Sequence, residues 1–335
     1  MNAIPQIQLH PGTSWQDELK QLVSDSNELF ELLELDRSYL PAAKQAEKLF
    51  PLRLTRSYLS RIKKGDINDP LLKQVLPLAE ENEAQANYVD DPLQERAFNP
   101  LPGLVHKYHN RVLLITTSSC AINCRYCFRR NFAYSENRLG QSQWQAILDY
   151  LKDHDEVDEV IFSGGEPLLL TNEQIQQRLE QLAAIPQLHR VRFHSRLPIV
   201  LPSRIDQNFC ATLNSTRLQC LVVVHCNHKQ EIDAYVAAAF SALSRAGITC
   251  LNQAVLLRGV NDSAKSQIEL NHSLFKNKVL PYYLHVLDKV RGGAHFDIEL
   301  SDARIIYEKM RARLPGYLLP KLVKDEPGQT AKTPL

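Results

Sequence analysis

Three cysteines fall within eight residues of this sequence, in the segment Cys120-Ala-Ile-Asn-Cys124-Arg-Tyr-Cys127. Thiolates bind soft metals, and three thiolates from one loop can hold three irons of a four-iron cluster while the fourth iron stays open. The same cysteines could hold zinc together with a nearby histidine, or could share no role. The other cysteines lie in apolar surroundings and are expected to be small core residues, namely Cys210, Cys220, Cys226 and Cys250.

A second candidate site is the segment Ser163-Gly164-Gly165-Glu166-Pro167. Glycines allow close approach to a backbone, and the carboxylate of Glu166 can accept hydrogen bonds from an ammonium group. Gly-Gly-Glu-Pro alone is more typical of a turn. Its interpretation therefore depends on the elements that position it and the cysteines.

The composition limits the possible classes of protein. The chain has 335 residues, is 44% hydrophobic, and carries 39 basic and 38 acidic side chains, so it has no net field that would attract nucleic acid or an anionic membrane. No apolar run approaches the roughly 18 residues of a membrane span, and residues 1–10 lack the features of a secretory signal. An odd count of seven cysteines argues against a disulfide scaffold. We expect a globular cytoplasmic protein without a nucleic-acid or membrane partner.

The periodicity of apolar residues changes along the chain. Residues 14–87 have helical spacing, with breaks at Pro41, Pro51 and Pro70, and predict several short helices. Residues 88–103 have no clear period and predict a linker that crosses a surface.

Beyond residue 110, short β-rich runs alternate with amphipathic stretches, which indicates repeated βα units around a parallel sheet. The predicted strands are Val112–Ser119, Glu159–Gly164, Arg190–Ser195, Gln219–Cys226, Ile248–Val255 and Val279–Leu287. One of the intervening helices is predicted over Gln230–Ala246, ending at Gly247. Ligands gather at the carboxyl ends of parallel strands, and both candidate motifs stand at such ends.

The C-x3-C-x2-C spacing after the first strand resembles the signature of the radical S-adenosylmethionine (SAM) superfamily. Tyr126 stands where that family places an aromatic residue near the adenine, and Ser163-Gly164-Gly165-Glu166 resembles its segment for the methionine amino group. The resemblance implies a 4Fe-4S cluster, S-adenosylmethionine and an electron donor such as flavodoxin or ferredoxin. It also implies reductive cleavage of S-adenosylmethionine to a 5′-deoxyadenosyl radical, which abstracts hydrogen.

The fold implied by this resemblance is a partial (β/α)6 barrel of the radical SAM type, with an N-terminal helical segment and a C-terminal segment that closes the site. The predicted parts are the N-terminal helical segment 1–87, a linker and start of the cofactor site at 88–110, the barrel 111–315, and a C-terminal pyridoxal phosphate-lysine segment 316–335.

Residues 100–335 more specifically resemble the lysine 2,3-aminomutases, which also use pyridoxal 5′-phosphate, and among them the bacterial members that supply (R)-β-lysine for modification of elongation factor P. The matching stretches include Tyr108-His-Asn-Arg111, His194-Ser-Arg196-Leu-Pro-Ile-Val-Leu-Pro, His225-Cys-Asn227-His228, Asn252-Gln253-Ala-Val-Leu-Leu-Arg-Gly-Val-Asn261-Asp262 and Pro281-Tyr-Tyr-Leu-His-Val-Leu-Asp288. The implied reaction moves the α-amino group of free lysine to the β-carbon, with a functional link to elongation factor P and its lysyl ligase. Longer relatives use a C-terminal extension in tetramer contacts. We do not expect a tetramer of that kind here.

The resemblance also assigns roles around pyridoxal phosphate. Lys332, in a Lys-Thr-Pro-Leu ending shared with the family, resembles the Schiff-base lysine. Arg111 resembles the arginine that pairs with the phosphate, with Tyr108 nearby, and Lys107 stands where some relatives have a second arginine. On the S-adenosylmethionine side, Gln253 resembles a residue between the two cofactors and His225 one that borders the methionine.

For the substrate, Arg129 resembles the residue that receives the lysine carboxylate, and Asp288 and Asp325 resemble the pair that holds the ε-ammonium; Glu326 could replace Asp325. An aminomutase for another amino acid such as glutamate would have no use for Asp288. A non-catalytic zinc or iron–sulfur module for a translation factor would have no use for Lys332 or Arg111.

Overall fold

The computed structural model describes residues 14–335. Residues 1–10, which we expect to lack a secretory signal, and the start of the predicted segment 1–87 lie outside the described residues. The helices, in chain order, are α1 (Trp15–Leu19), α2 (Ser26–Leu32), α3 (Leu40–Leu49), α4 (Arg56–Leu59), α5 (Pro70–Lys73), α6 (Gln141–Lys152), α7 (Asn172–Ala183), α8 (Leu197–Val200), α9 (Gln207–Asn214), α10 (Ala234–Arg245), α11 (Ala264–Lys276) and α12 (Leu300–Arg311). The strands are β1 (Leu104–Tyr108), β2 (Arg111–Thr117), β3 (Glu159–Gly164), β4 (Arg190–Ser195), β5 (Gln219–Val224), β6 (Thr249–Val255), β7 (Val279–His285), β8 (Lys321–Lys324) and β9 (Thr333–Pro334).

The nine strands form one sheet in chain order. Strands β2 to β8 run parallel, whereas β1 pairs antiparallel with β2 and β9 pairs antiparallel with β8. Within the described part of the chain the sheet stays open, with β1 and β9 at its edges. The six strands predicted from the sequence correspond to β2–β7, with every boundary within two residues. The predicted partial barrel is therefore confirmed.

Three elements differ from the sequence-based expectation. The segment after residue 87 contains β1, which periodicity did not indicate because a five-residue edge strand has too short a pattern. Helix α10 begins at Ala234, not at Gln230, since Asp233 caps it by accepting from the Val236 amide. The C-terminal segment forms β8 and β9, and this antiparallel return brings Lys332 back over the barrel.

The N-terminal helices pack directly on the barrel. Leu29, Phe30 and Tyr58 belong to the same continuous apolar core as Phe162 and Phe193, which are partner residues on β3 and β4. The short helices α4 and α5 cannot persist alone, because isolated helices of one turn are unstable in water. Their packing against the barrel is what stabilises them. In residues 14–335, no helix combines the length and the apolar character needed to cross a membrane.

Candidate active site

A cavity of about 550 Å³ lies at the carboxyl ends of the parallel strands. All seventeen site residues predicted from the sequence line it. They include the three cysteines after β2, the Ser163–Glu166 segment after β3, and Lys332 beside β9. The structure thus brings together side chains that are up to 225 positions apart in the sequence, from Lys107 to Lys332. Glu326 accepts hydrogen bonds from Lys324 and Thr333 and does not line the cavity. Of the two candidates for binding the ε-ammonium, Asp325 and Glu326, this favours Asp325.

The cysteine loop presents three free thiols to the cavity. Burial raises the pKa of Cys120, and it raises the pKa of Cys127 to about 11. The guanidinium of Arg196 donates a hydrogen bond to the sulfur of Cys124. Among residues 14–335, no group of three histidine, cysteine or acidic side chains is placed to hold a single metal ion. A four-iron cluster takes each thiolate on a different iron, so this donor set fits such a cluster.

The N-terminal segment holds the cysteine loop in place. Arg53 donates to the carbonyl of Cys120 (3.0 Å), and the amide of Asn123 donates back to the carbonyl of Arg53 (2.8 Å). Glu81 is fully buried and accepts from Arg125 at 2.8 and 2.6 Å. It also accepts from Arg130 at 2.7 Å. Both arginines flank Cys127, so a buried charge network spans the two parts of the chain.

The Gly-Gly-Glu segment is joined to the cysteine loop backbone to backbone. The amide of Gly165 donates to the carbonyl of Thr117 and that of Glu166 donates to Ser119, each at 2.9 Å. A Cβ atom on Gly165 would lie 2.4 Å from the Ser119 carbonyl oxygen, and Gly164 has φ +102°. Only glycine allows the two segments to pack this closely. The turn-like sequence therefore serves to bring two strand ends together.

We expect the substitution Gly165→Ala to disturb this packing. Because the methyl group would meet backbone atoms that cannot move aside alone, the melting temperature should fall by about 5 °C and affinity for S-adenosylmethionine should fall with it. Calorimetry and equilibrium binding measure the two effects. Gly316→Ala is the matched control, since a Cβ there meets no atom within 4 Å. Unchanged melting and unchanged affinity in Gly165→Ala would contradict the proposed fit.

Glu166 is held by its own chain. One oxygen accepts from the Ser195 hydroxyl at 2.6 Å and from the Leu168 amide at 3.1 Å, and the other accepts from the Arg196 amide at 2.9 Å. Burial raises the pKa of Glu166 to about 6 despite these donors. The carboxylate therefore joins the ends of β3 and β4 as well as facing the cavity.

Tyr126, His225 and Gln253 lie on the wall beyond the cysteines. The Tyr126 hydroxyl accepts from the Asn227 amide at 2.7 Å, and its ring packs edge-on against Phe296. Burial lowers the pKa of His225 to about 3, so the ring is neutral at pH 7. Gln253 donates to its Nε2 atom at 2.9 Å. A planar ligand could lie along this neutral wall.

Elsewhere in the cavity wall, Asp325 accepts hydrogen bonds from several side chains. It accepts from Lys107, from Lys332 at 2.7 Å and from the Tyr108 hydroxyl at 3.2 Å. Burial alone would raise the pKa of Asp325, but the ammonium groups of Lys332 and Lys107 outweigh it and hold the pKa at about 2. Arg111 stacks on Tyr108, with 4.2 Å from guanidinium carbon to ring centroid. Cations thus surround this end of the cavity.

Asp288 differs from Asp325 because none of the described side chains donates a hydrogen bond to it. Burial and then the nearby charge of Asp325 raise its pKa to about 7. The Asp288 carboxylate is half-buried in the cavity wall, and no hydrogen bond from a described side chain offsets the cost of desolvating its charge. It therefore favours a cationic ligand at this point of the cavity.

Arg129 is hydrogen-bonded to two other side chains of the protein. Glu95 accepts from its Nε at 2.7 Å and from its Nη2 at 2.6 Å, and the Ser163 hydroxyl accepts from Nη1 at 3.0 Å. Glu95 lies in the segment predicted to be a plain linker, and no motif signals it. Arg196 lies in a matching stretch, yet its contact with Cys124 was not foreseen because the partners are 72 residues apart.

Comparison with known proteins agrees with this geometry. The radical SAM superfamily model matches residues 114–209. L-lysine 2,3-aminomutase of Escherichia coli (strain K12) is 46% identical over 322 residues, covering 96% of this chain and 94% of the relative. The enzyme of Haemophilus influenzae is 43% identical (96% and 95% covered), and that of Clostridium subterminale is 36% identical (96% and 77% covered). The chain therefore belongs to the L-lysine 2,3-aminomutase family of the radical SAM superfamily.

Proposed function

We propose that the chain isomerises free L-lysine to (R)-β-lysine in the cavity described above. The observation that carries this proposal is the charge layout of that cavity. Arg129, beside the cysteine loop, can receive a carboxylate. Asp288, to which no side chain of residues 14–335 donates a hydrogen bond, can receive an ammonium. Free lysine has these two groups at opposite ends. An acidic side chain, as in glutamate, would be repelled by Asp288.

The cysteine loop, Tyr126 and the Ser163–Glu166 segment would hold the cluster and S-adenosylmethionine. When bound, these cofactors would supply the one-electron chemistry that removes hydrogen from an unactivated carbon. The protein must then keep the target carbon close and exclude competing C–H groups and water. The close packing of Gly165 on Ser119 and the buried Glu81 network give the loop the rigidity that such positioning needs.

The chain also has features that fit pyridoxal phosphate. Four buried nitrogen atoms of residues in the cavity wall have no partner among the described residues: Arg192 Nε, His194 Nε2, Arg196 Nε and His285 Nε2. A polar cofactor would satisfy such groups. Arg111 would pair with the phosphate, since guanidinium matches a dianion. Lys332 would bind the aldehyde carbon through its amine, and when bound the cofactor would stabilise an unpaired electron beside the migrating nitrogen.

Asp288→Asn tests the substrate assignment. Because removal of one partner of a buried charge pair costs on the order of 3–5 kcal/mol, kcat/KM for lysine should fall by two or more decades. Pyridoxal phosphate content should stay constant. In the wild type, the neutral form of Asp288 predominates below its pKa of about 7 and cannot pair with an ammonium. The KM for lysine should therefore fall as the pH rises from about 6 to about 8, and Asp288→Asn should lose this dependence.

The control is Asp302→Asn, which changes an exposed carboxylate on α12 that is not part of the cavity lining. If Asp288→Asn kept the wild-type kcat/KM and an unaltered pH profile, the assignment of Asp288 to the substrate site would be wrong.

The function itself is tested by anaerobic reconstitution with iron, sulfide, S-adenosylmethionine, pyridoxal phosphate and a reductant. Incubation with free L-lysine should give (R)-β-lysine on a chiral column, and flavodoxin or ferredoxin should replace the chemical reductant. The product would then be a substrate for the ligase that modifies elongation factor P. Conversion only of lysine already attached to elongation factor P would contradict the proposal, because Arg129 requires an unblocked carboxylate.

A further inference from the structure

Glu95 stands where no substrate role was expected. Its carboxylate makes two parallel hydrogen bonds with the Nε and Nη2 atoms of Arg129, and the two side chains are only 9% and 6% exposed. Both residues line the cavity. The residue expected to receive the lysine carboxylate is thus already paired with a carboxylate of the protein.

The geometry of the pair shows which part of Arg129 remains available. A guanidinium has five N–H groups. Glu95 takes one on Nε and one on Nη2, and the Ser163 hydroxyl takes one on Nη1. One N–H group of Nη1 and one of Nη2 therefore have no acceptor among the described residues. Two N–H groups on neighbouring nitrogens are the arrangement that binds a second carboxylate at two points.

The segment that carries Glu95 also reaches the other end of the substrate site. Val89 donates to the carbonyl of Lys289, next to Asp288, and accepts from the amide of Arg291, both at 3.0 Å. Asp90 accepts from Asn131, two residues after Arg129, at 2.9 Å. Residues 89–95 therefore connect the loop of Arg129 with the loop of Asp288 through backbone and side-chain contacts.

We propose that Glu95 is a positioning residue that turns the free edge of Arg129 towards the lysine carboxylate, and that residues 89–95 keep this edge at a constant distance from Asp288. This inference rests on the proposed lysine isomerisation and adds to it a determinant of substrate length. Glu95 does not contact the reacting atoms. It acts through Arg129, whose charge it balances while no substrate is bound.

A rival interpretation predicts the opposite effect. If Glu95 merely occupies the place of the lysine carboxylate in the ligand-free protein, its removal would free Arg129 and lower the KM for lysine. If Glu95 positions Arg129, its removal lets the guanidinium rotate, and the KM rises. The sign of the change in KM decides between them.

The experiment compares Glu95→Gln, Glu95→Asp and the control Glu83→Gln, which changes an exposed carboxylate that precedes the 89–95 segment. Loss of a hydrogen bond between charged groups should raise the KM for lysine about tenfold or more in Glu95→Gln, with a smaller change in kcat. Cadaverine, which is lysine without its carboxylate, should keep its competitive inhibition constant within about twofold because it makes no use of Arg129. Glu95→Asp keeps the buried charge pair, so it should fold and show a smaller rise in KM; it carries the test if Glu95→Gln does not fold.

An unchanged or lower KM for lysine in Glu95→Gln or Glu95→Asp, or a parallel loss of cadaverine inhibition, would overturn the inference. Wild-type protein that fails to convert lysine would instead overturn the proposed function. The two failures are therefore distinguishable.

Discussion

Replacement of Cys120, Cys124 or Cys127 by alanine is expected to abolish formation of 5′-deoxyadenosine from S-adenosylmethionine. Each thiol would hold a different iron, so the loss of one leaves an iron without a protein ligand and exposes the cluster to dissociation. The iron content of each variant and its electron paramagnetic resonance spectrum after reduction measure the loss separately from turnover. No other change in the chain should have a larger effect on activity.

Cys210→Ala is the control for these variants. Cys210 is a free thiol packed in the apolar core on α9, so its removal should cost some stability and leave the cluster intact. The decisive variant changes all three loop cysteines together. If that protein still bound about four irons per chain with the wild-type spectrum, the assignment of the loop would be wrong.

Lys332→Ala is expected to abolish covalent binding of pyridoxal phosphate. Borohydride reduction of the loaded wild type should attach the cofactor to Lys332, and mass spectrometry of the peptides would locate it. The ε-amine lies 2.7 Å from Asp325 and faces the ring of Tyr283, which places it inside the cavity and not in solvent. A primary amine at this point of the cavity can attack the aldehyde carbon of a bound cofactor.

Lys324→Ala serves as the matched control because that lysine lies on the same hairpin but points outward and pairs with Glu326. The iron–sulfur spectrum should survive in both variants. Recovery of the label on another lysine, together with wild-type conversion of lysine by Lys332→Ala, would show that Lys332 does not bind the cofactor.

The Arg196 side chain shows how closely the parts of the site depend on one another. Besides the Cys124 sulfur, its guanidinium donates to Gln74 at 2.6 Å and to Glu231 at 3.0 Å. Its backbone amide donates to Glu166. One residue after β4 thus links the cysteine loop, the Gly-Gly-Glu segment and the N-terminal helices, although these lie in separate parts of the sequence.

The sequence by itself determined the six central strands of the sheet and the two motifs at their ends. Alternation of β-rich and amphipathic runs predicted β2–β7 within two residues, because buried parallel strands need continuous apolar stretches that solvent-exposed segments lack. The cysteine spacing and the Gly-Gly-Glu segment follow from local chemistry, since each motif acts within a few consecutive residues. Strand ends then placed both motifs on one face of the sheet.

Only the tertiary structure decided what each charged group pairs with. Glu95 holds Arg129 across 34 residues, Glu81 holds Arg125 across 44, and Lys107 meets Asp325 across 218. Local patterns carry no information about such partners, because a single Glu or Lys looks the same whether it is solvated or buried against an opposite charge. Asp288 and Asp325 are the same type of residue, yet the pKa of Asp288 lies near 7 and that of Asp325 near 2. The difference arises because Lys107 on β1 and Lys332 beside β9 donate hydrogen bonds to Asp325 and not to Asp288, where desolvation by burial dominates.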